Sequence, residues 1–80
     1  MNVITLNKIA AGCKAVIIDN NTSGETHRRF ADIGIIKGAE IECVGESPLG
    51  DPVALYVNGA VIAVRRGDLS EITAMVTKNE

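Results

Sequence analysis

The sequence predicts a mainly β domain: a small barrel of about five short strands, with one α-helix near residues 22–33 inserted after an early strand. Three observations carry this. Short β-branched or alternating apolar segments recur along the chain, as in Lys14–Asp19, Ala39–Val44 and Glu71–Val76. Asn58-Gly59 separates two apolar runs, Val53–Val57 and Ala60–Val64. That dipeptide is a strong hairpin signal, because a type I′ turn needs positive φ at both central positions. Only one segment, Thr22–Ile33, carries helical capping and spacing.

The elements follow in order. Residues 3–6 are a short apolar start, and Asn7–Gly12 a connector with Leu6 and Ile9 tucked under the sheet. Lys14–Asp19 is the first clear strand, and Asn20-Asn21 ends it. Thr22 and Glu25 have capping-box spacing, in which hydroxyl and carboxylate each satisfy a free backbone N–H. Phe30 and Ile33 share one helix face, while Arg28, Arg29 and Asp32 point elsewhere. Gly34 suits the left-handed residue that closes a helix. Ile35-Ile36 then pack onto the core, and Lys37-Gly38 turns the chain. In Ala39–Val44, alternation points Ile41 and Cys43 inward and Glu40 and Glu42 outward.

Ser47-Pro48-Leu49-Gly50-Asp51-Pro52 cannot pair as a strand, because its prolines fix φ and remove two N–H donors. It is a shaped loop on a β scaffold, a common place for function. The Asn58-Gly59 turn then sets Val57 opposite Ala60, Leu55 opposite Ile62, and Val53 opposite Val64. These six form the core face. The other face carries Ala54, Tyr56, Val61 and Ala63, then Arg65. It is too apolar for an ordinary solvent face, so either a neighbouring segment covers it or a partner does. Arg66–Ser70 is a turn with a short helical twist, Glu71–Val76 the last strand, and Thr77–Glu80 a fraying end. A closed barrel hides edges that an open sheet exposes. An SH3-like barrel fits this order best; an OB-fold usually places its helix later.

Eighty residues make a single domain spanning 1–80. The apolar share is 46%, yet only Phe30 and Tyr56 are aromatic, so the core is aliphatic. Few aromatics and a net charge of −2 argue against nucleic-acid binding, which uses stacking platforms and a basic surface. Cys13 and Cys43 lie in or beside apolar segments and read as buried free thiols ahead of a disulfide or metal ligands. The start of the chain lacks a basic region followed by an apolar run, and no segment approaches membrane-spanning length. The expectation is a soluble, cytoplasmic, reduced protein.

Catalytic chemistry is poorly provided for. His27 is the only histidine and has no nucleophile motif to serve, so it reads as a helix-surface residue. His27, Cys13 and Cys43 share no ligand spacing, and neither GxxxxGK[ST] nor GxGxxG occurs. An enzyme, a bound cofactor and a metal site are therefore not expected.

Three segments in order resemble one family: His27-Arg28-Arg29-Phe30-Ala31-Asp32-Ile33-Gly34, Pro48-Leu49-Gly50-Asp51-Pro52, and Ala63-Val64-Arg65 with a following acidic residue. Together they are similar to the ferrous iron transport protein A family, whose helix reads R-R-L-x-x-M/I-G and whose loop reads P-L-G-D-P. Lys37-Gly38 matches the family's P/K-G after the helix. Phe30 and Val64 replace the family's leucines, and Gly67-Asp68-Leu69 departs from its more helical turn. The resemblance implies a five-stranded SH3-like barrel and a cytoplasmic accessory protein of bacterial ferrous iron uptake. Its implied partner is ferrous iron transport protein B, a membrane permease with a cytoplasmic GTPase domain. Transition-metal association enters only as a family-level term. The same fold occurs in metal-dependent repressors, but this chain lacks their helix-turn-helix part.

The leading expectation is a binding module that docks on the permease and modulates uptake. Leu49 is the candidate anchor, Tyr56 and Val61 extend the patch, and Arg28, Arg29 and Arg65 supply charged contacts. Each has a structural alternative. Leu49 folds back to plug the barrel end, and the arginines pair with Asp32, Glu40 or Glu42, contributing about 0–1 kcal/mol per exposed pair. Asp51 is expected to cap loop amides. Two other functions fit less of the sequence: regulation of GTP hydrolysis by an arginine, and a small-barrel nucleic-acid-binding or metal-regulator-like domain. The sequence leaves homo-oligomerisation open.

Overall fold

The computed structural model describes residues 2–79. It contains β1 (Asn2–Thr5), β2 (Lys14–Asn20), β3 (Glu40–Glu46), β4 (Val53–Val57), β5 (Ala60–Val64) and β6 (Ile72–Lys78). Helix α1 (Gly24–Ile33) lies between β2 and β3, and short 3-10 turns occupy Leu6–Lys8 and Arg66–Leu69. All pairings are antiparallel, in the order β1-β6-β2-β3-β4-β5. The mainly β, SH3-like architecture with one inserted helix is as expected.

The strand count is six, not five, because the apolar start is itself a strand. β1 pairs along β6, Val3 opposite Met75 and Ile4 opposite Ala74, but none of its residues is fully buried. Without a buried row it lacks the alternation that marks a strand. β6 also runs further than expected: Lys14 faces Lys78 and Thr77 is the extra residue at a register shift, so the strand continues through Lys78 rather than fraying at Thr77. Glu80, the last residue of the expected fraying end, lies outside the described residues.

The expected capping box does not form. Asn20 Oδ1 accepts both the Thr22 N–H, at 3.2 Å, and the Thr22 hydroxyl. That Asx-type contact takes the hydroxyl away, and Ser23 becomes the N-cap without a side-chain cap bond. At the other end Gly34 has φ +103°, and its N–H donates back to Ala31 and Phe30 carbonyls. The exit turns Ile35 into the core while Ile36 stays 52% exposed, so only the first of the two isoleucines packs inward.

The core is one aliphatic cluster around Phe30, with Leu6, Ile9, Ile17, Ile35, Ile41, Leu55, Leu69 and Ile72 almost fully buried. Each such side chain contributes about 1.5–3 kcal/mol by leaving water. Cys13 and Cys43 are buried in it as free thiols. The hairpin has the expected register, Val57 opposite Ala60, Leu55 opposite Ile62 and Val53 opposite Val64. Ala60, beside the turn, is exposed, so five of the six expected core-face positions contribute burial.

The ladder begins at β1 and ends at β5, and no pairing joins those two strands among the described residues. Arg66, two residues after β5, bridges the seam. Its Nη1 donates to the carbonyls of Asn7 (2.7 Å) and Ile9 (2.9 Å), just beyond β1. Its Nε donates to Gly50 O at 2.6 Å, and its Nη2 to Glu46 Oε1 at 2.9 Å. One guanidinium thus joins the first strand's end, the last residues of β3 and the 47–52 loop.

Two outcomes are expected. Arg66→Lys loses the planar fork that reaches three directions and leaves carbonyls without a donor, costing about 1–3 kcal/mol. Chemical denaturation of Arg66→Lys and Arg66→Ala measures this, and stability equal to wild type in both removes Arg66 as the seam's clasp. Gly34→Ala puts a Cβ 3.1 Å from Asn58 Cβ and 3.3 Å from Val57 Cγ1, at a positive φ that L residues disfavour. It is expected to lose about 1–2 kcal/mol, read as a fall in Tm of roughly 4–16 °C.

Candidate partner-binding surface

The Ser47–Pro52 loop is held from inside and outside. Within it, the Gly50 N–H donates to Ser47 O at 2.8 Å and the Ser47 N–H to Pro52 O at 3.1 Å. Ser47 Oγ accepts the Asp51 N–H at 3.1 Å and donates to the Asp51 carbonyl. From outside, Arg66 Nε holds Gly50 O, and Asp51 Oδ1 accepts the Arg66 N–H at 2.8 Å. Asp51 therefore does cap an amide, but one beyond β5 instead of within its own loop. Both flanks of the tip are thus tied, Ser47 within the loop and Gly50 and Asp51 to Arg66. Leu49 stands 96% exposed on it. It points away from the barrel and does not plug its end.

The outer hairpin face begins beside this loop. Tyr56 faces Val61 and Ala54 faces Ala63 across β4 and β5. Tyr56 is 46% and Val61 60% exposed, and no segment of the described chain covers them. The step from Val53, at the loop's end, to Tyr56 is about 10 Å along the strand. Ala54 and Ala63 fill that interval and line a shallow depression with Glu46 and Pro52. The hairpin's outer row is therefore apolar from Tyr56 and Val61 through Ala54 and Ala63 to the base of the loop that carries Leu49. Val44 joins the exposed apolar set at a bulge in β3, where the register shifts between Cys43 and Gly45. The alternation expected for Ala39–Val44 gave no reason to select it.

The arginines divide. Arg65 continues the outward row of Val61 and Ala63 and lines a groove with Arg29, Phe30 and Ile33 of α1. Arg29 reaches Asp68 at 3.7 Å, and its guanidinium carbon lies 5.4 Å from the Phe30 ring centre. Both ends of this ion pair are exposed, so it contributes about 0–1 kcal/mol. The expected partners Asp32, Glu40 and Glu42 are not used: Asp68 lies across the groove from α1, and Arg66 takes Glu46. Arg28 sits beside Glu25 and Asp32 on the helix, apart from the hairpin strip. The hairpin's outward row thus carries Tyr56, Val61 and, past its end, Arg65, Leu49 stands on the loop beside β4, and Arg28 lies on the helix.

Arg66 is the residue that the sequence reading did not select. A signal was available in the strand period. Val64 is inward and Arg65 outward, so Arg66 returns inward at the barrel end, where a guanidinium must find acceptors. His27 is exposed on the helix, its Nδ1 3.1 Å from Thr22 O. Among the described residues, no three His, Cys, Asp or Glu side chains converge as metal ligands. No helix among them is long and apolar enough to cross a membrane.

Comparison with known proteins agrees with this architecture. The FeoA domain matches residues 4–75. No curated protein sequence matches the chain. Among solved structures, iron(II) transport protein A from Clostridium thermocellum is 31% identical with a TM-score of 0.86, over 92% of this chain but only 46% of its own. A FeoA-like protein from Clostridium acetobutylicum is 29% identical, TM-score 0.86, over 100% of this chain and 93% of its own. The zinc complex of Stenotrophomonas maltophilia FeoA is 25% identical with a TM-score of 0.72, covering 91% of this chain and 88% of its own. That protein is described as a procaryotic SH3 domain protein and a candidate ferrous iron transport activating factor. Matched over nearly all of its length, this chain belongs to the FeoA domain family.

Proposed function

We propose that this chain is a non-catalytic accessory module of bacterial ferrous iron uptake. It works in the cytoplasm by docking on the GTPase-bearing membrane permease, ferrous iron transport protein B, and modulating uptake. The family and the solved relatives that carry iron-transport descriptions support the process. The single observation that carries the docking surface is Leu49, 96% exposed at the tip of a loop tied on both flanks. A leucine held in water gains nothing for the fold. Its burial, worth about 1.5–3 kcal/mol, remains available to a partner. Tyr56 and Val61 extend the contact along the hairpin, and Arg65 lies at the strip's loop-proximal end to meet acidic groups. Arg29, already engaged with Asp68, contributes through the adjoining groove, and Arg28 lies outside the contact.

Binding of the purified permease cytoplasmic domain, measured by calorimetry, tests this. Leu49→Ala and Tyr56→Ala are each expected to weaken the complex by about 1–2 kcal/mol, or roughly 5–30-fold in Kd. The Leu49→Ala melt should stay at the wild-type midpoint, because that side chain is 96% exposed; Tyr56→Ala should lose only the roughly 0.2–1 kcal/mol of a cross-strand pair. Wild-type affinity in both variants removes this surface. Arg28→Ala should bind as wild type, and a large loss there moves the contact to the helix.

A further inference from the structure

The two buried cysteines sit opposite each other one step beyond the β2–β3 ladder, with Cys43 Sγ 3.4 Å from Gly45 O. The register places Lys14 opposite Glu42 and Ala15 opposite Ile41, and one further step places Cys13 opposite Cys43. Backbone bonds fix that step: the Cys43 N–H donates to Cys13 O at 2.9 Å, and the Gly12 N–H to Cys43 O at 2.7 Å. Gly12, at φ +91°, and Cys13 together oppose the single residue Cys43. This is a bulge in which a left-handed glycine is followed by the residue that keeps the cross-strand partner. Both side chains turn to the buried side of the sheet. The Cys13 N–H itself turns away to Ala10 O at 3.1 Å, so the pair shares one bond; directly opposed antiparallel residues have Cα atoms about 4.5–5.5 Å apart, inside the roughly 4.4–6.8 Å that a disulfide spans.

The surroundings rank the two thiols. Cys43 is fully buried, and burial pushes its pKa up. Cys13 is 8% exposed, and its Sγ lies 3.4 Å from Oδ1 of Asn79, beyond the end of β6. The cover over Cys13 is thus the end of the described chain, whereas the cover over Cys43 is the core. No third metal-ligating side chain joins the pair among the described residues.

We infer that Cys13 and Cys43 form a reversible thiol-oxidation site that takes a hydroperoxide and closes to an intramolecular disulfide within the folded barrel. Cys13 gives up its proton, which goes to the leaving oxygen, and its sulfur attacks the peroxide oxygen. The S–O bond forms, the O–O bond breaks, and the departing hydroxide takes a proton to leave as water, or as an alcohol from an organic peroxide. Cys43 then gives up its proton and attacks Cys13 Sγ, forming S–S and breaking S–O, with a second water released. The two thiols lose two electrons and two protons, and the peroxide is reduced. A dithiol such as dithiothreitol reverses the bond by exchange.

The wild-type chain is the test protein. It is treated with hydrogen peroxide under native conditions, alkylated, digested with trypsin and read by mass spectrometry. The expected product is a monomer lighter by two hydrogen atoms, with the Cys13 peptide joined to the Cys43 peptide and separated again by dithiothreitol. In Cys43→Ala, dimedone should trap a sulfenic acid on Cys13; in Cys13→Ala, Cys43 should stay unlabelled while the chain is folded. The proposal is overturned if native peroxide treatment yields only Cys13 overoxidised to sulfinic acid. It is equally overturned by a disulfide between two chains, or by a bond that forms only after unfolding.

Discussion

The Arg66 guanidinium is the interaction on which the rest of this fold leans. A six-stranded antiparallel ladder that is unpaired between its first and last strands needs something else to hold those ends together. Arg66 does so with donors in three directions, to the carbonyls after β1, to Glu46 at the end of β3 and to Gly50 in the loop. Its side chain is only 24% exposed, so the charge is partly desolvated and depends on those acceptors. Charge-assisted bonds of this kind are shorter and stronger than neutral ones. A point-charge ammonium cannot point in the same set of directions.

The functional surface follows from that constraint. The 47–52 segment has two prolines and a glycine, which exclude strand pairing but do not choose a conformation. Arg66 and Asp51 choose it, by bonding the loop to the residues just beyond β5. Because the loop is held, Leu49 is presented and not collapsed. β4 starts where the loop ends and β5 finishes beside it, with Val53 opposite Val64, so the outer row of the hairpin runs up to the base of the loop. The helix has a different part: it packs Phe30 into the core and lines a groove with β5, through Ile33 and Arg29.

Much of this was legible along the chain. The Asn58-Gly59 turn determined the β4–β5 register, because a two-residue type I′ turn leaves one pairing available. Alternation placed Ile41 and Cys43 inside, and the exit glycine at position 34 was recognisable from its place after the last apolar helical residue. β1 was not legible, since a strand that covers another strand without burying a row of its own carries no periodic signal. The helix start was misplaced by competition: Thr22 has the right spacing for a capping box, but Asn20 sits closer and takes its hydroxyl. Of the candidate site residues, Leu49, Tyr56 and Val61 are exposed as a docking patch requires, whereas Arg28, expected to supply a charged contact, lies on the helix beside Glu25 and Asp32.

Local chemistry and period were enough to determine the fold class, the hairpin, the helix and its glycine stop, the aliphatic core and the presence of a shaped loop. Each depends on residues within a few positions of one another. The tertiary structure alone decided where Leu49 points, which carboxylates the arginines meet, that Cys13 faces Cys43, and that Arg66 fastens the barrel. Those outcomes depend on groups between 15 and 59 positions apart in the case of Arg66. Pattern along the chain says which face a side chain turns to, but only the closed fold brings a distant acceptor within the about 3 Å that a hydrogen bond requires.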